Sequence, residues 1–183
     1  MSAVRIIALG NEAAGDDGAA LMAVRRLADL IEAGSGAASA APAGATERPA
    51  LTPADIQIIE AGRPGPGLLD LLAPGDAGPD PGPACVLMDV TQSGAAPGTI
   101  HRVELAALGD AAIAVRPLSS HGFGPSEALR MAQALGRPVP RGVFVGIEAA
   151  QFGPGVGLSA AVEAGLDPFV AAVLAAARAL ADA

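Results

Sequence analysis

The chain has 183 residues, enough for one well-buried core and too few for two ordinary domains, so a single domain is expected. Hydrophobic residues make up 51% of it and aromatic residues only 2%, with neither Trp nor Tyr, so the core must be built from Val, Ile, Leu and Ala, and base-stacking nucleic-acid modules are excluded. The formal net charge of -8 repels phosphate backbones and anionic membrane surfaces, so neither nucleic acid nor a membrane is expected as a partner.

Apolar runs of strand length alternate with helical patterns along the chain. "VRIIAL" (4–9) predicts the first strand, and a glycine turn follows it. The next segment, "GAALMAVRRLADLIEAG", carries Leu21, Val24, Leu27, Ala28 and Ile31 at helical spacing, with Gly34 as the expected stop. "IQIIEA" (56–61) predicts a second strand, "GLLDLLAPG" a short helix and "CVLMDV" (85–90) a third strand. "TIHRVEL" (99–105) alternates, as an edge or half-exposed strand does. "SEALRMAQALG" opens a helix at Ser126 and Glu127 and sets Leu129, Ala132 and Leu135 on one side. "GVFVGI" (142–147) predicts the last strand. The tail from about Leu158 to Ala183 is helical in pattern, with a break or kink expected around Gly165 and Pro168. Such alternation implies an α/β domain with a largely parallel sheet and helices on both faces. Two Ala-, Gly-, Ser- and Pro-rich stretches, 33–53 and 74–84, read as surface loops.

In such sheets ligands collect beyond the C-terminal ends of the strands. Asp16 and Asp17 follow the first strand, Asp89 ends the third, and His121 lies in the loop "LSSHGFGPSE". Carboxylates at a helix start repel a second anion, so the first loop is not a phosphate cradle. An ordinary reading makes Asp16 a helix cap, but one cap does not need two acids, and the surplus carboxylate wants a cation. Asp89 by itself is compatible with a strand-end turn, and His121 with a loop imidazole bonded to nearby backbone. Together two carboxylates and one imidazole suit a divalent transition metal with open positions. His101, on the half-exposed strand, is assigned to the surface. The single cysteine, Cys85, lies mid-strand and cannot form an internal disulfide, so no oxidising compartment is called for and a cytoplasmic protein is expected. The Ala-rich tail is interrupted by Arg178 and Asp182, and no membrane span is expected. A nucleophile elbow, a dinucleotide fingerprint and a Walker lysine are all absent from the sequence.

Four stretches in order, "IALGNEAAGDDG", "VLMDVTQSGAAPGTI", "SSHGFGPSEALRMAQALG" and "VFVGIEAAQFGPGVGLSAAV", resemble the hydrogenase maturation endopeptidases. Members of that family trim the C-terminal extension from the large subunit of nickel-iron hydrogenases after nickel insertion. The resemblance implies a three-layer α/β/α sandwich around a twisted, mostly parallel five-stranded sheet. It places the metal-contacting and catalytic residues at Asp17, Asp89 and His121, with Gly10 and Asn11 shaping the loop that delivers Asp17. It also implies that the nickel is supplied by the large-subunit precursor and is absent from the purified protein. Where relatives often carry an Asp-Gly-Gly-Thr type turn after the second strand, this chain reads "EAGRPGPGLLDLL", with Glu60 in the acid position and Arg63 and Pro64 in the turn. Two other functions fit the same three ligands: a nickel-dependent escort that binds the loaded subunit without cutting it, and a metallohydrolase acting on small molecules.

Overall fold

The computed structural model describes residues 4–38, 51–72, 82–108 and 123–183. Strands β1 (Val4–Leu9), β2 (Ile56–Gly62), β3 (Cys85–Thr91), β4 (Ile100–Glu104) and β5 (Gly142–Glu148) form one sheet in the order β2-β1-β3-β5-β4. The first four positions in that order are parallel to one another, and β4 runs antiparallel to β5 at the edge. Every residue of β3 and β5 is buried, as continuous apolar runs covered on both faces should be.

The helices are α1 (Ala19–Ala38), α2 (Leu68–Leu72), α3 (Leu105–Leu108), α4 (Pro125–Ala134) and α5 (Ala160–Ala181). Leu27 of α1 and Phe169 of α5 pack with Val86, Met88, Val145 and Ile147 on one face of the sheet. Leu68, Leu105 and Leu129, from α2, α3 and α4, pack with Ile7, Leu87 and Phe144 on the other. The three-layer sandwich is therefore observed. Each fully buried large side chain contributes roughly 1.5–3 kcal/mol, which is how a nearly aromatic-free chain holds two core layers.

Four local expectations are corrected. Helix α1 runs through Gly34 and Gly36 to Ala38, since each interior glycine costs only about 1 kcal/mol and the helix ends on Ala37 and Ala38. The expected 33–53 loop is thus helical at its start, while residues 39–50 lie outside the described residues, as do 74–81 of the second expected loop. Helix α5 is continuous through Gly165 and Pro168. Pro168 and Ala164, whose carbonyl loses its helical donor, are both exposed, so water can replace the missing bond. Gly165 is buried instead, where a Cβ would stand 3.2 Å from the Gly98 carbonyl oxygen. Leu135 is exposed, because α4 ends at Ala134 and leaves it beyond the buried side.

Helix α5 is long and apolar enough to cross a membrane by length and composition. Its buried side, with Val162, Leu166, Phe169, Val173 and Leu180, is instead part of the core beside α1.

Candidate functional site

The C-terminal edge of the sheet is built around the β1 loop. Gly10 has φ +129°, and a Cβ there would collide with the Asp17 carbonyl oxygen, so the chain can double back only at glycine. The returning turn is fastened by the Asn11 N–H, which donates to that carbonyl at 3.0 Å, and by the Asn11 side chain, which accepts from the Ala13 N–H at 3.1 Å. A short 3-10 turn, Gly15–Gly18, then delivers two adjacent acids into α1.

Those two acids have different roles. Asp16 is fully buried and does not cap α1. Its carboxylate accepts from the Ala150 N–H at 2.8 Å, the Gln151 N–H at 2.9 Å, the Ser159 N–H at 2.6 Å and the Ser159 hydroxyl at 2.9 Å. It is a structural clamp between the first loop and the segment that leads into α5. The partners are remote in sequence, which is why a local cap was the expected role. Asp17 is half-buried, and burial raises its carboxyl above the ordinary range against the opposing effects of Arg63 and the Asn11 N–H.

Asp89 lies near the end of β3 and points to the same side as Leu87, the α2–α4 side. It is 8% exposed and accepts from its neighbour's N–H, Val90, at 2.8 Å. Burial pushes its carboxyl up to about 8, the Val90 bond opposes this, and the nearby charge of Asp17 adds to the rise. Strands β1 and β3 are neighbours and the turn bearing Asp17 packs against β3, so the two acids share the C-terminal edge of the sheet. His121 lies outside the described residues; the chain resumes with Phe123, packed against the same side as Asp89's neighbours. Among the described residues no three His, Cys, Asp or Glu side chains converge on a metal position. Of the expected set, then, two members are brought to one edge.

His101, expected at the surface, is only partly exposed. On β4 it stands opposite Gly146, and its Nε2 lies 3.0 Å from the buried carboxylate of Glu148, with its side chain 22% exposed. Glu148 escaped sequence reasoning, although it closes an apolar run just as Asp89 does. Burial would raise its carboxyl, but donation from Thr91, Ser93 and Gly94 outweighs this and holds it below the ordinary range.

Glu60, in the acid position of the second strand, accepts from Arg25 Nε at 2.9 Å and Nη2 at 2.7 Å, and Arg25 also pairs with Glu12. Glu60 is thus turned toward α1, while Arg63 supplies the positive charge felt by Asp17. The Cys85 thiol is buried and pushed up to about 12, which removes it as a nucleophile.

Residues 45–176 match the model of a family described as hydrogenase maturation protease. That span contains Asp89 and position 121 and begins after the β1 loop. Among solved structures, the chain is similar to the hydrogenase maturating endopeptidase HybD from E. coli, at 21% identity over 97% of this chain and 93% of that one, with a TM-score of 0.65. It is also similar to the [NiFe] hydrogenase maturation protease HybD from Thermococcus kodakarensis, at 24% identity over 93% and 95%, TM-score 0.59. A [NiFe] hydrogenase maturation protease HycI from Thermococcus kodakarensis KOD1 aligns at 17% identity over 97% and 93%, TM-score 0.58. These likenesses establish the fold. No curated protein sequence matches.

Proposed function

This chain belongs to the hydrogenase maturation protease family, and on that premise we propose that Asp17, Asp89 and His121 meet the nickel ion already held by a nickel-iron hydrogenase large-subunit precursor. The protein is an endopeptidase that processes the C-terminus of the hydrogenase large subunit. Family membership favours this activity over an escort that binds without cutting.

One observation supports the choice of residues most directly. Asp17 and Asp89 come together at the C-terminal edge of the sheet, and burial disfavours the charge of both. A divalent cation brought to that edge relieves both at once, as no second anion can. Nickel in this reading is part of the substrate. A precursor without it offers the three side chains nothing to bind, so cleavage is gated by metal insertion. Hydrolysis then needs a water oxygen to add to the scissile carbonyl carbon, the C–N bond to break, and a proton to reach the departing amine. Nickel orients the tail, and the Asp17 or Asp89 carboxylate takes the proton from water. On this reading the reaction belongs to the cytoplasm, where the precursor acquires its nickel.

The test is the mass of the large-subunit precursor, nickel-loaded and nickel-free, before and after incubation with this protein. Loss of a C-terminal peptide from the loaded form alone is expected. Asp17→Asn and His121→Ala should each abolish that loss while leaving the fold intact. Normal cleavage by either variant removes that residue from the site, and equal cleavage of the nickel-free precursor removes the gate.

A further inference from the structure

At the same edge of the sheet a second acid is buried that the reaction above does not use. Glu148 is 2% exposed and gathers five donors. Its Oε1 accepts from the backbone N–H groups of Ser93 at 2.7 Å and Gly94 at 2.8 Å, and its Oε2 from the Thr91 hydroxyl at 2.8 Å and the Ser93 hydroxyl at 2.9 Å. His101 Nε2 makes the fifth contact at 3.0 Å. The backbone of Glu148 joins in, donating to the Thr99 carbonyl at 2.8 Å and accepting from the Gly98 N–H at 2.7 Å. All of these partners belong to one stretch of chain, residues 91–101, which leaves the sheet two residues after Asp89 and returns as β4.

Holding that loop does not by itself require a buried carboxylate. Backbone bonds already close it at Gly98 and Thr99, and an apolar side chain in a buried position commonly stabilises as well as an ion that must be desolvated. A carboxylate with five donors fixes one conformation of the turn, and the turn so fixed is exposed at Gln92, Ser93 and Gly94. These residues follow Asp89 by three to five positions, so they lie within about 10–17 Å of it along the chain. An extended peptide whose anchor sits at Asp89 can therefore run over them.

We propose that Glu148, with His101 bonded to it, is a positioning residue that holds the 92–99 loop as one wall of the groove for the substrate's C-terminal tail. This rests on the assignment of Asp89 to the site. The loop would supply its exposed backbone and the Gln92 amide to an extended peptide, and the Glu148–His101 pair would act on substrate only through the loop.

Cleavage of nickel-loaded precursor, followed over a range of precursor concentrations, tests this. Glu148→Gln and His101→Phe should raise the half-saturating concentration about tenfold or more, while the rate at saturation stays within about threefold of wild type. Thr91→Val should behave like Glu148→Gln, and Thr91→Ser, which keeps the hydroxyl, should restore the wild-type value. Half-saturation unchanged in variants that remain folded overturns the proposal, as does equal behaviour of Thr91→Val and Thr91→Ser. If Glu148→Gln does not fold, the edge-strand variant His101→Phe and the Thr91 pair decide alone. Wild-type protein that leaves the loaded precursor intact would instead count against the processing reading, and Asp89→Asn with full activity against the anchor.

Discussion

The charge of Asp17, in the turn after β1, opposes the ionisation of Asp89 near the end of β3, with burial of Asp89 the larger cause. Because the Asp89 carboxyl is raised to about 8 from an ordinary 3.8, the folded state binds a proton that the unfolded state releases. This group therefore favours folding below pH about 4, and that contribution is lost as pH rises, levelling off near pH 8. Asp89→Asn carries no such slope. Its stability advantage over wild type should grow between pH about 5 and about 8 in urea unfolding. Parallel pH profiles for the two proteins would show that the carboxyl is not raised.

The clamp at Asp16 predicts a large structural effect. Asp16→Ala leaves the part-buried N–H groups of Ala150, Gln151 and Ser159 without their acceptor, each at a cost of up to about 1–3 kcal/mol. A loss on the order of 3–5 kcal/mol is expected in denaturant unfolding, together with loss of precursor cleavage. Ser159→Ala removes one hydroxyl donor and the α5 cap and should cost only about 1 kcal/mol. A similar, small effect from both variants would mean that Asp16 is not the clamp.

Gly10 and Gly136 offer a controlled pair. Both have positive φ, but a Cβ at Gly10 strikes the Asp17 carbonyl, whereas one at Gly136 meets nothing within 4 Å. Gly136→Ala should cost on the order of 1 kcal/mol and leave cleavage intact. Gly10→Ala should cost on the order of 3 kcal/mol and abolish cleavage, since the turn that presents Asp17 must open. Active Gly10→Ala protein would show that the tight return is not needed.

Alkylation distinguishes an inert thiol from a reactive one. With Cys85 buried and its thiol pushed up to about 12, iodoacetamide should leave the native protein unmodified at pH about 8 and modify it fully in denaturant. Rapid native labelling, followed by mass, would contradict the buried assignment.

Much of this architecture could be read from residue pattern alone because β1, β3 and β5 are continuous apolar runs, while the alternation in "TIHRVEL" marks an edge. Asp89 was legible as a candidate for a related reason, since an ionisable group that closes an apolar run has few places to lie except the strand end, whereas Asp17 was singled out from Asp16 by the family resemblance. The role of Asp16 was hidden because its partners are side by side only in the folded chain. The Glu148–His101 contact depends on the antiparallel register that sets His101 opposite Gly146, and no local pattern carries register. Continuity of α5 through Pro168 depends on which side of the helix faces water, again a tertiary fact.

The partners of Asp16 lie 134 to 143 positions further along the chain. During synthesis from the N-terminus, the turn bearing Asp17 is therefore made long before the backbone groups that hold it. Until β5 and the first turn of α5 have left the ribosome, the acid lacks these donors and the loop is held only by its own local bonds. The clamp on the first loop is thus complete only once the segment leading into α5 has been made.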